Sequence, residues 1–80
     1  MSDDDLRAVI KKLAEYYVQR EVTGRAFAWT VESLIATSAI DERDERMATA
    51  AEFLAAYSPS GGEGLHDEKE LMRFASSLLE

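Results

Sequence analysis

The sequence predicts an all-α chain folded as an antiparallel four-helix bundle. Four stretches place apolar residues at the three-and-four spacing of a helix face. Residues able to cap a helix stand before the first, second and fourth of them. No segment shows the alternation of a strand. The connections are short, so successive helices must run back along one another, and 80 residues allow one domain.

The first helix is expected over about residues 3–20, with Leu6, Val9, Ile10, Leu13, Ala14 and Tyr17 as its stripe. Ser2 or one of Asp3, Asp4 and Asp5 caps it, and acids suit the positive end of the helix dipole. Glu21-Val22-Thr23-Gly24 breaks the pattern, and Thr23 caps a second helix over 24–37. Its inner face is Phe27, Val31, Leu34, Ile35 and Ser38; the β-branched Val31 and Ile35 lower its propensity, so packing must compensate. Ser38-Ala39-Ile40 reads as a turn with Ile40 entering the core. The third helix is expected over 41–57, opened by acids and carrying Met47, Ala50, Ala51, Leu54 and Tyr57 on one face with Phe53 beside them. Glu42 and Arg46 have the i,i+4 order that favours an ion pair. Ser58 to Gly64, with the only proline and three of the four glycines, is the one clear loop. Asp67 and Glu70 have capping-box spacing, and Leu71, Phe74, Ala75, Leu78 and Leu79 complete a fourth helix over 67–79.

Composition narrows the chemistry. No cysteine is present, which removes disulfides, iron–sulfur clusters, thiolate zinc and thiol nucleophiles. His66 is the only histidine, so one chain cannot form a two-histidine metal site; a structural role is expected for it. Ser58, Ser60, Ser76 and Ser77 have no second base and no GxSxG around them. The glycines at 61, 62 and 64 lack the Lys-Ser/Thr of a phosphate loop, and paired carboxylates for glycoside chemistry need a cleft that a bundle this short lacks. The expectation is a protein that is not an enzyme, with no catalytic residues, no cofactor and no metal. No apolar run approaches the ~20 residues of a membrane helix. Asp3–Asp5 stand where an export signal would be basic, so a cytoplasmic location is expected.

The net charge is -7, and six of those charges fall in residues 41–80. A basic protein partner is therefore expected, with no direct nucleic-acid binding and no membrane. The candidate partner-binding residues are Asp41, Glu42, Asp44 and Glu45 in one group and Glu63, Asp67, Glu68 and Glu70 in the other. In an up-down bundle, helices one and three start at one end and helices two and four at the other. Asp3–Asp5 would then join the first group at one pole, and Thr23 and Arg25 would lie near the second. The second group is preferred here, because loops more often carry function. Tyr16 and Trp29 lie off the stripe centres, as interface anchors or as half-buried aromatics closing the core edge. The plainer reading of the acids is that they solubilise a small domain.

The stretch Leu13-Ala14-Glu15-Tyr16-Tyr17-Val18-Gln19-Arg20-Glu21-Val22-Thr23-Gly24-Arg25-Ala26-Phe27 resembles the opening of colicin D immunity proteins: an apolar helix, a charged residue, Ile or Val, Thr or Ser, and an aromatic four residues later. Phe53-Leu54-Ala55-Ala56 with Pro59 resembles that family's third helix and exit loop, and Gly64-Leu65-His66-Asp67-Glu68-Lys69-Glu70-Leu71 its entry to the last helix. The resemblance implies a small acidic helical bundle that binds the cytotoxic domain of a bacterial tRNA-cleaving toxin. It would shield the toxin's basic active-site cleft by imitating the charge of the substrate. That family gathers its toxin-facing acids at the end of the third helix and the loop after it. Here that place reads Tyr57-Ser58-Pro59-Ser60, with no acid before Glu63, so no single contact residue carries over. Two other classes stay open: a phage-type acidic inhibitor of a nucleic-acid-binding defence enzyme, and a small helical dimerisation or interaction module. A homodimer is compatible with all three, since pairing adds the buried surface that an 80-residue bundle lacks.

Overall fold

The computed structural model describes residues 2–58, 62 and 64–80. Among these, the chain forms four α-helices and no strand: α1 (Asp3–Val18), α2 (Gly24–Ser38), α3 (Glu45–Ala55) and α4 (Glu68–Leu78), with a 3-10 turn at Ile40–Glu42 before α3. The predicted loop residues Pro59, Ser60, Gly61 and Glu63 lie outside the described residues.

Each helix start follows from a capping side chain. Ser2 Oγ accepts from the Asp5 N–H at 3.1 Å, and the Asp5 carboxylate accepts in return from the Ser2 N–H, which satisfies two orphan donors reciprocally. Thr23 Oγ1 accepts from the Ala26 N–H at 3.1 Å. Asp67 Oδ1 accepts from the Glu70 N–H at 3.0 Å, whereas the Glu70 carboxylate turns to His66 Nδ1 at 2.5 Å. At its other end α1 closes with the Glu21 N–H donating to the Tyr16 carbonyl and the Arg20 N–H to the Tyr17 carbonyl. This is the Schellman pattern, with Arg20 at φ 63° in the position that favours glycine.

The third helix is shorter than the sequence predicts. Ala39 takes a left-handed conformation at φ 55° and ends α2, and Ile40 turns fully into the core. The Asp44 carboxylate then accepts from the N–H groups of both Arg46 and Met47. A short polar side chain that caps cannot also lie inside the helix, so α3 begins after Asp44 and not at Asp41. The break separates Glu42 from Arg46, and the Arg46 guanidinium donates to the Ser77 carbonyl at 2.8 Å. At the far end, Tyr57 leaves the helix to pair with His66. The His66 N–H donates to the Ala56 carbonyl and the Ser58 N–H to the His66 carbonyl, both at 2.8 Å.

Leu6, Ile10, Ala14, Tyr17, Phe27, Val31, Ile35, Ile40, Met47, Ala50, Leu54, Leu71, Ala75 and Leu78 are buried as the stripes predict, and Ala28 joins them. Val9 departs from its stripe at 36% exposure: the buried line of α1 runs through Leu6, Ile10, Ala14 and Tyr17, and Val9 sits at its margin. Phe53 and Phe74 are partly buried. Phe53 stacks between the Phe74 ring, 4.5 Å away, and the His66 imidazole, 4.0 Å away. His66 thus joins the loop to α3 through its ring and its backbone, and to α4 through Glu70.

Candidate functional site

The starts of α1 and α3 are drawn together by arginine. Arg43 forks onto Asp3, with Nε to Oδ2 and Nη2 to Oδ1 both at 3.0 Å. Arg7 Nε donates to Asp44 Oδ2 at 2.6 Å, and its Nη1 to Asp4 Oδ1 at 2.7 Å. The Arg43 hydrogen bonds hold the Asp3 carboxyl below its ordinary range, and the Arg7 bond does the same for Asp44. This end therefore gathers Asp3, Asp4, Asp5, Asp41, Glu42, Asp44 and Glu45. Seven carboxylates against Arg7, Arg43 and Arg46 leave a net -4 of the chain's -7. Asp44 is tied into the fold as a cap and Asp3 by its arginine, while Asp4, Glu42 and Glu45 are exposed and Asp41 is half-buried.

The opposite end employs its acids differently. Glu68 stands at the first position of α4, where its carboxylate accepts from the Tyr17 hydroxyl at 2.7 Å and also from the Tyr57 hydroxyl. Burial, followed by these bonds to Glu68, pushes both phenols well above the ordinary tyrosine range. Gly24, the first residue of α2, lies directly against this clamp: a Cβ there would come within 2.5 Å of Glu68 Oε1 and 2.9 Å of the Tyr57 hydroxyl. Asp67 caps α4 and Glu70 holds His66, so all three described acids of the group preferred from sequence are engaged in the fold. Glu63 lies outside the described residues. Around this clamp, Arg20, Arg25, Lys69 and Arg73 lie on the same end as Glu21, Asp67, Glu68 and Glu70.

Sequence reasoning missed the clamp, although Gly24 directly after a threonine cap was a legible sign of close approach. It also missed a groove of about 430 Å³ lined by Tyr17, Arg20, Glu68, Lys69, Met72 and Arg73. Of the two off-stripe aromatics, Tyr16 is 39% exposed and Trp29 is 71% exposed. The Lys12 ammonium lies 5.5 Å from the Tyr16 ring centroid. Trp29 borders a shallow recess shared with Arg25, Glu32 and Tyr57. Among the described residues no group of three His, Asp or Glu side chains could hold a metal ion, and no helix is long and apolar enough to cross a membrane. No protein-family model, curated protein or solved structure matches the chain.

Proposed function

We propose that this chain is an immunity-type inhibitor: an antiparallel four-helix bundle, working in the cytoplasm, that covers the basic active-site cleft of a toxin nuclease domain with carboxylates. The toxin would be a tRNA-cleaving enzyme, as the resemblance to colicin D immunity proteins implies. The observation that carries this reading is the concentration of a net -4 at the α1/α3 end, where Asp4, Glu42 and Glu45 are exposed. We accordingly take Asp4, Asp41, Glu42 and Glu45 as the partner surface in place of the Glu63–Glu70 group, whose described acids are engaged in the fold.

A nuclease cleft holds phosphates with Lys and Arg, and exposed carboxylates on a rigid frame can take the phosphates' place. Charge-assisted Arg–carboxylate pairs are short and often bidentate. The Arg43–Asp3 and Arg7–Asp44 bonds fix the frame, so the exposed acids lose little freedom on binding. The test is inhibition of tRNA cleavage by a basic tRNase toxin domain. Glu42→Lys with Glu45→Lys is compared with Glu21→Lys and Glu52→Lys, a pair that alters the net charge equally from other exposed positions. The first pair should weaken inhibition about tenfold or more, the second far less. Equal effects would overturn the assignment of the surface, and native protein that leaves cleavage untouched would overturn the function.

One observation favours a second reading. Trp29, at 71% exposure, is the kind of side chain that anchors an interface, which suits a helical interaction module. Association that persists in high salt and disappears in Trp29→Ala would select that reading.

A further inference from the structure

We propose that the groove between the end of α1 and the first turns of α4 binds a small phosphate-bearing anion, held by Arg20, Lys69 and Arg73. This site is separate from the acidic pole and does not depend on the function proposed above. Three cations converge on one groove of about 430 Å³ in a chain whose net charge is -7. Among the described residues, none of the three forms an ion pair.

All three positions work against local stability. Arg20 occupies the left-handed C′ position of a Schellman motif, φ 63°, where a side chain is disfavoured and glycine is the usual residue. Lys69 and Arg73 stand one turn apart on α4, a like-charge i,i+4 spacing that weakens a helix. Departures from local preference that converge on one place mark function more often than chance. The carboxylate in the groove wall, Glu68, accepts from the Tyr17 and Tyr57 hydroxyls, one on each oxygen, which offsets part of its charge.

The ligand class follows from the donors. Cations reaching from the end of α1 and from two successive turns of α4 suit a tetrahedral oxyanion better than a planar carboxylate. Arg also matches phosphate oxygens two at a time. The groove exceeds one phosphate group in size, and Met72 offers apolar surface to the remainder of a phosphate ester.

The experiment is an amide NMR titration of the full chain at low salt with pyrophosphate, adenosine monophosphate and, as control, acetate. Saturable shifts confined to residues 19–21, 68–71 and 73 are expected with both phosphates and not with acetate, with adenosine monophosphate also moving Met72. Arg20→Gly should raise Tm and yet weaken pyrophosphate binding about tenfold, and Lys69→Gln should weaken it comparably. A residue kept for the fold alone would not give opposite signs in the two measurements. The proposal is overturned by equal shifts around Lys11 and Lys12, by acetate binding as well as pyrophosphate, or by undiminished binding in Arg20→Gly. A strong preference for an RNA oligomer over both small anions would equally overturn it.

Discussion

Replacing Gly24 with alanine sets two rules of helix stability against each other. In an exposed helix, glycine to alanine stabilises by up to about 1 kcal/mol. Here the new methyl would lie 2.5 and 2.9 Å from the Glu68 carboxylate oxygens and 2.9 Å from the Tyr57 hydroxyl. Those atoms end flexible side chains, so the backbone need not move, but the carboxylate must leave its place. The Tyr17 hydroxyl, on a side chain only 4% exposed, then loses its charged acceptor. A hydrogen bond to a charged group is worth about 1.5–3 kcal/mol. Set against the full propensity gain, the net destabilisation is about 0.5–2 kcal/mol, or roughly 2–16 °C in Tm for a domain of this size. Thermal and urea unfolding followed by circular dichroism give the number, and a double-mutant cycle with Glu68→Ala gives the cause. Once the carboxylate is gone, Gly24→Ala should become neutral or stabilising. If Gly24→Ala raises Tm in the native background, or behaves alike with and without Glu68, the clamp does not govern this position.

Asp44→Ala removes a helix cap and should cost about 1 kcal/mol; Asp4→Ala, whose carboxylate is 94% exposed, should leave Tm unchanged. Arg7 holds Asp44, and Arg43 holds Asp3, below the ordinary carboxylate range. Their contribution is therefore complete above the unfolded value of about 3.9 and lost as pH falls through the lower folded values. Acid unfolding should be correspondingly blunted in Asp44→Asn. Tyr17 and Tyr57 are shifted the other way, so their contribution is complete below pH ~10 and lost as pH rises through the higher folded values. Ultraviolet titration should show Tyr17 and Tyr57 still protonated well above pH 10, and Tyr17→Phe should remove part of the alkaline loss of stability. Trp29→Ser should change stability by no more than about 0.5 kcal/mol, as calorimetry can check.

The helices were legible because their apolar period and their caps agree: Ser2, Thr23 and Asp67 each stand where the pattern starts. The third helix was misjudged at its start because acids suit a helix N-terminus whether they lie inside it or before it. Only the tertiary burial of Ile40 and the capping geometry of Asp44 separate the two. The acidic pole was legible as a consequence of helix order, since charges distant in sequence meet wherever alternate helices begin. The structural employment of Asp67, Glu68 and Glu70 was not. A carboxylate that clamps two tyrosines 51 and 11 residues away reads in the sequence like any other surface acid. The same blindness hid the groove, whose cations come from the end of α1 and from α4.

Ionic strength separates the pole from the net charge. The molecule measures 34 × 25 × 20 Å. At 0.01 M salt the Debye length is about 30 Å, so an approaching basic partner feels nearly the whole chain as one object of charge -7. At 0.15 M it is about 8 Å, and only the carboxylates at the surface being approached contribute. Glu42→Lys with Glu45→Lys and Glu21→Lys with Glu52→Lys both bring the net charge to -3, since each substitution adds two units to -7. In stopped-flow association with a basic tRNase domain of the kind proposed as partner, both pairs should slow binding similarly at the lower salt. At 0.15 M the first pair should remain slow while the second approaches the native rate. A ratio between the two pairs that stays constant across salt would mean that the partner responds to total charge alone, and the carboxylates at the starts of α1 and α3 would then be solubilising groups.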